Sequence, residues 1–195
     1  MSFIVPSGNF GNIFSARIAK HMGLPINQLH VATNQNDTLH QIISSGNMTM
    51  NMVEQTYSPS MDIQVSSNFE RQIFESVKND SDEVKKVMQD FKINHKYSFD
   101  PNIWQHIQNI YHSTAVSNEM TLKTIKIFKQ KFNYLADPHT ATGLSVLHNI
   151  HLDHAIVSLA CAHPAKFGDA IKKATDEEPI FPKELENIFD KEEKM

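Results

Sequence analysis

The residues that most constrain this chain stand at its beginning. Ser2-Phe3-Ile4-Val5-Pro6 is a short apolar run, Ser7-Gly8-Asn9-Phe10-Gly11-Asn12 follows at once, and Ile13 to Met22 carries apolar residues at helical spacing. Strand, glycine turn and helix in immediate succession leave few ways to continue. Gly23 suits the position just past a helix end, and Pro25 prevents the helix from going on. Leu29-His30-Val31-Ala32 then reads as a second strand. A strand–helix–strand run of this length predicts a right-handed parallel βαβ unit, and with it an α/β fold on an open parallel sheet. Ligands of such sheets lie beyond the carboxyl ends of the strands. The glycine turn therefore falls on the ligand edge.

The chemistry of that turn suits an anion. The first N–H groups of a helix have no partner within it, and the helix dipole places partial positive charge there. Gly8 and Gly11 allow a sharp turn and a close approach of backbone to ligand. Ser7, Asn9 and Asn12 offer side-chain hydrogen bonds. No Gly-Lys-Ser/Thr follows, so the turn is not a P-loop, and the G-x-G-x-x-G spacing of dinucleotide folds is missing. Taken alone, the same glycines also suit an ordinary tight βα connection.

The rest of the chain reads as one domain over residues 1–195. Thr33 to Asp37 follows the second strand on the ligand edge, with Asn and Asp placed to cap a helix over 37–45. Residues 46–68, rich in Ser, Asn, Thr and Met, read as a long irregular loop. Within and just after it, Asp62 and Arg71 suit either a structural ion pair or a substrate-facing role. Phe69, Ile73, Phe74 and Val77 give the next helix its apolar stripe. Residues 79–134 carry caps and periodic apolar positions of several helices and are expected to form an all-helical insertion covering the sheet, with Trp104 in the core and Lys123, Lys126, Lys129 and Lys131 on a solvated face. Asp137-Pro138 opens a helix over 139–150, with His139 at the ligand edge. Ala155 to Cys161 is a candidate buried strand whose carboxyl end delivers Cys161, Ala162 and His163 to that edge. A turn and helix run from His163 to Ala174, and a short terminal helix covers 182–189.

Composition narrows the function. The net charge is −4 and the basic residues are dispersed, which excludes the basic stripe of a nucleic-acid binder. No run approaches the roughly 20 apolar residues of a membrane span. The single cysteine, Cys161, excludes an internal disulfide framework and points to a reducing, cytoplasmic setting. The 11 histidines are scattered, with no H-E-x-x-H or paired Cys-x-x-Cys, so no metal site is expected.

Val5 to Asn12 resembles the phosphate-cradling loop of threonine synthases, which are pyridoxal phosphate (PLP) enzymes of fold type II. Further blocks resemble the family in the same order: Gly23-Leu24-Pro25-Ile26, Val31 to Asp37, Ser58-Pro59-Ser60-Met61-Asp62-Ile63, Ser67-Asn68-Phe69-Glu70-Arg71, Asp137-Pro138-His139-Thr140-Ala141 and Ala162-His163-Pro164-Ala165-Lys166-Phe167. The resemblance implies a partial open parallel sheet of fold type II with helices on both faces and a helical insertion. It implies that Ser7, Gly8, Asn9, Phe10, Gly11 and Asn12 hold the PLP phosphate and that Cys161, where most of the family has Thr, meets the ring nitrogen. His139, His163 and Lys166 become candidates for contact with substrate. The implied reaction turns O-phospho-L-homoserine and water into L-threonine and phosphate. The family's Schiff-base lysine precedes the matched region, and Lys166 does not replace it, because the family has a lysine there too. The expectation is a fragment, the product of a split gene or a truncated chain, inactive without an N-terminal part that a separate chain could supply. A non-catalytic PLP or phosphate-binding module and an inactive remnant are the alternatives.

Overall fold

The computed structural model describes residues 1–185, 187 and 190–193. In chain order they form β1 (Ser2–Pro6), α1 (Gly11–His21), β2 (Leu29–Thr33), α2 (Thr38–Ser45), β3 (Asn47–Thr49), a 3₁₀ turn at Pro59–Met61, α3 (Phe69–Ser76), α4 (Ser81–Asn94), β4 (Lys96–Ser98), α5 (Pro101–Ile110), β5 (Tyr111–Ala115), α6 (Asn118–Phe132), α7 (Pro138–Ser145), β6 (Ile156–Ser158), a second 3₁₀ stretch at Pro164–Phe167 and α8 (Gly168–Thr175). The main sheet is parallel, in the order β5-β2-β1-β6. Val5 stands opposite Val31, and Leu29 opposite Tyr111.

Side chains alternate across the sheet, and each face has its own core. Val5, Leu29 and Val31 join Ile13, Ile42, Phe69, Ile73 and Phe91 on one face. Ile4 and Ala32 point the other way, onto Val146 just after α7. A further cluster of Ile125, Ala141, Leu144 and Ile171 binds α6, α7 and α8 together on that side. Helices on both faces are what an all-parallel sheet requires. Gly143 lets α7 reach the end of β1, since a Cβ there would stand 2.9 Å from Pro6 Cγ.

Several expectations are corrected. Residues 79–134 are not all helical. They supply β4, antiparallel to β3, and β5, which pairs along its length with β2. Tyr111 is buried while His112 and Ala115 are exposed, so β5 is an edge strand whose apolar pattern is too thin to stand out between two helices. The loop over 46–68 contains β3 and the 3₁₀ turn at Pro59–Met61. The strand expected over 155–161 shortens to Ile156–Ser158 and is not fully buried: it lies at the other edge of the sheet, with Val157 40% exposed. The α-helix expected over 139–150 ends at Ser145 and tightens into a 3₁₀ turn. Asp37 occupies the cap position of α2 without a capping hydrogen bond, because its carboxylate accepts from Gln41 Nε2 instead, at 2.7 Å. Of the terminal helix, only a 3₁₀ turn at Lys183–Leu185 is described; part of the expected span lies outside the described residues. Among the described residues no helix is long and apolar enough to cross a membrane.

Candidate functional site

A cleft of about 300 Å³ opens where β1 ends and α1 begins. Ser7 to Asn12 form one wall; Ser60, Met61 and Asn68 form a second, and His139 and Cys161 close the far side. The volume lies at the lower end of the roughly 300–1,000 Å³ typical of small-molecule sites.

The loop wall is held by its neighbours through backbone and polar contacts. Ser7 N–H donates to Ala32 O at 2.9 Å, continuing the sheet for one residue. Ser7 is buried, and its Oγ lies out of solvent with no hydrogen-bond partner among the described residues. Gly8 lies under the 3₁₀ turn, where a Cβ would come 2.8 Å from Met61 Cα and 3.3 Å from Ser60 O. Its carbonyl accepts from Ser66 Oγ. Asn9 Oδ1 accepts from Ser67 N–H at 2.8 Å and from Ser67 Oγ at 2.9 Å, and Asn9 O accepts from Asn68 Nδ2 at 3.0 Å. Phe10 takes a left-handed backbone, φ 62°, at the cap of α1 and gives no side-chain cap. Its ring lies instead in the core, edge-on to Phe69 at 5.0 Å and Tyr111 at 5.3 Å. The first turn of α1, with no acidic residue and no side-chain cap, thus meets the cleft at Gly11 and Asn12, where the N–H groups of a helix have no partner within it.

The opposite wall is organised by a buried carboxylate. Asp137 is 1% exposed and caps α7, accepting from His139 N–H at 2.9 Å and Thr140 N–H at 3.4 Å. The same Oδ1 lies 3.0 Å from His139 Nδ1, and Nε2 of that ring accepts from Ser60 N–H at 3.1 Å. These partners specify the Nδ1–H tautomer, assigned from the hydrogen-bond network. Asp137 Oδ2 accepts from Thr140 Oγ1 and from Ala162 N–H, the latter at 3.1 Å. Thr140 Oγ1 in turn accepts from Cys161 N–H at 2.9 Å. Burial alone would raise the Asp137 carboxyl, but hydrogen bonds from His139, Thr140 and Ala162 outweigh it and hold it below the ordinary carboxylate range. The Cys161 thiol, on a residue that is exposed overall, is pushed up to about 11 by local desolvation and then by the Asp137 charge. It is therefore a neutral thiol at pH 7.

The structure brings Ser7 to Asn12, His139 and Cys161 to one cleft. It does not bring His163 or Lys166 there. His163 is exposed, and its Nδ1 accepts from Ala165 N–H at 3.2 Å, starting the second 3₁₀ stretch. Lys166 lines a neighbouring concavity with Tyr57, Pro59 and Asp169. Asp62 and Arg71 are not a pair. Asp62 is the acceptor of a polar knot, from Asn34 at 2.7 Å, Asn36 at 3.1 Å and Thr56 at 2.6 Å, and Arg71 donates to Asn68 Oδ1 at 2.6 Å. Sequence reasoning singled out no role for Ser60, Met61 and Asn68 in the cleft or for the Asp137 hub behind it. Each nevertheless lies inside a block that carries the family resemblance.

Comparison with known proteins supports the threonine synthase resemblance. Residues 140–195 match the family model described as threonine synthase, C-terminal. The threonine synthase of Pseudomonas aeruginosa is 39% identical over all of this chain, which covers 42% of that protein. The crystal structure of PLP-bound threonine synthase from Brucella melitensis superposes with a TM-score of 0.95 at 42% identity, covering 99% of this chain and 42% of that one. The chain is thus similar to the C-terminal part of threonine synthases. Threonine synthase from yeast likewise superposes with a TM-score of 0.90 at 36% identity, again over 42% of its length. The chain therefore spans less than half of the threonine synthases it matches, and corresponds to their C-terminal part.

Proposed function

We propose that this chain is the cofactor-phosphate half of a threonine synthase, a PLP-dependent lyase that forms L-threonine and phosphate from O-phospho-L-homoserine and water. The observation that carries the reading is the cleft itself: an uncapped helix N-terminus and a glycine held against backbone meet on one small volume lined by Ser7 to Asn12. That donor set fits a phosphate ester. The Ser7 to Asn12 segment would hold the phosphate of PLP. Cys161, a neutral thiol, would stand at the ring nitrogen as a weak donor. Bound PLP supplies an electron sink for carbanion chemistry on an amino acid. The residues described here bind and orient. By the family resemblance, the lysine that exchanges protons with the substrate lies outside them, so activity belongs to this chain together with the remaining part of the family's sequence. A cytoplasmic location fits the lone thiol.

Calorimetric titration of the purified chain tests this. PLP is expected to bind saturably and to be competed by inorganic phosphate. Gly8→Val is expected to lose that binding, because the new side chain must displace the backbone of Ser60 and Met61. PLP affinity that survives Gly8→Val unchanged would sink the assignment. Adding the family's N-terminal part to the wild-type chain is expected to yield threonine from O-phospho-L-homoserine.

A further inference from the structure

His139 lines the cleft, yet its two ring nitrogens are both engaged, one with Asp137 and one with the Ser60 backbone. A ring so occupied is poorly placed to grip a substrate. Its 4% exposure and its packing on the Phe167 ring at 4.8 Å leave it no alternative rotamer without cost. What it does hold is the turn Pro59–Met61, and that turn presses on Gly8. Thr140, one residue along, reaches the other end of the same cleft, because its hydroxyl joins Asp137 to Cys161 N–H.

Resting on the phosphate-cleft reading above, we propose that Asp137 is a positioning residue that sets both ends of the cleft through two separate arms. The His139 arm fixes Ser60–Met61 over Gly8 and so shapes the phosphate end. The Thr140 arm, with Ala162 N–H on the same carboxylate, fixes the chain at Cys161 and so shapes the ring end. The carboxylate can serve both because its two oxygens are divided: Oδ1 faces His139 and the start of α7, and Oδ2 faces Thr140 and Ala162. The contacts join residues 79 positions apart on one arm and 21 to 25 on the other. One buried anion thereby registers three separate segments around the ligand.

Amide hydrogen exchange read residue by residue on the whole chain, with and without inorganic phosphate, separates the arms. His139→Asn keeps a donor toward Asp137 but removes the acceptor for Ser60. It is expected to speed exchange at Ser60 and Met61 by about tenfold and to weaken phosphate binding by a similar factor, leaving Cys161 and Ala162 protected. His139→Gln, whose amide oxygen can stand near the place of Nε2, is expected to restore protection at Ser60. Thr140→Val is expected to speed exchange at Cys161 by about tenfold and to raise the rate of Cys161 alkylation by iodoacetamide, with phosphate affinity unchanged; Thr140→Ser restores both. Asp137→Asn is expected to move both ends. Uniform acceleration of all amides in either single-arm variant, or a change at the wrong end, would overturn the two-arm assignment. Wild-type chain that binds no phosphate while the exchange pattern holds would refute the phosphate-cleft reading and leave the two arms standing.

Discussion

Phe10 shows how a single residue can be placed against its own backbone preference. A non-glycine residue at φ 62° costs on the order of 1–2 kcal/mol, and glycine would remove that cost. The ring, however, is 1% exposed and lies between Phe69 and Tyr111. Truncating a buried phenylalanine typically costs about 3–5 kcal/mol. Burial wins, so Phe10→Gly is expected to lower stability by about 2–3 kcal/mol in urea unfolding, even though it relaxes the turn. A Phe10→Gly chain as stable as wild type would mean that the ring does not anchor the loop. The same anchoring leaves α1 without a side-chain cap where it meets the cleft, because the residue at the cap position is turned inward.

At the scale of elements, the segment between α3 and α6 is tied into the sheet rather than laid over it. Tyr111 at the start of β5 donates to Gln72 Oε1 of α3 at 2.7 Å, with both residues buried. Burial holds that phenol well above its ordinary range, so it stays a donor at any working pH. Tyr111→Phe would strand the Gln72 carbonyl away from water, and is expected to cost about 1–3 kcal/mol. The double variant Tyr111→Phe/Gln72→Leu is expected to recover part of that loss in the same unfolding measurement. A Tyr111→Phe chain within about 0.5 kcal/mol of wild type would show that Gln72 finds another donor. This tie was not legible in the sequence. The βαβ unit over residues 2–33 was, because glycine, proline and apolar spacing act locally. So was the cleft wall at Ser7 to Asn12. The strand β5 escaped because an edge strand buries few of its side chains, and Tyr111 is its one fully buried residue. Conversely, Ala155 to Cys161 reads as a buried strand by composition, yet burial depends on what lies beside it, and β6 is at an edge. The hub at Asp137 was read only as a helix cap. Its links to Ser60 through His139 and to Ala162 depend on tertiary contacts that no local pattern encodes.

At the scale of the whole molecule, two buried groups among the described residues, His30 and Asp137, titrate on the acid side in different pH windows. On the β2–β5 side, His30 is 9% exposed, bonded through Nε2 to Thr114 Oγ1 at 2.8 Å and stacked on His112 at 6.2 Å. Burial, then the neighbouring His112 and His40, lower its pKa from 6.5 to about 4. The folded chain therefore keeps His30 neutral where the unfolded chain has protonated it. Between these two values the unfolded state binds more protons, so stability rises with pH over that window and is flat above it with respect to this group. Acidification from pH 6.5 to 4 is expected to remove on the order of 3 kcal/mol. Asp137 acts lower down. Its folded value is depressed, so its contribution is complete above the ordinary carboxylate range and is lost as pH falls through the folded value. The urea midpoint followed against pH is thus expected to fall in two stages, β5 loosening first and the cleft wall later. His30→Gln can keep the bond to Thr114 without a titrating ring, and is expected to flatten the upper stage while leaving the lower one in place. Asp137→Asn is expected to do the reverse. If both variants shift the whole profile alike, the two sites do not titrate as separate parts of the fold.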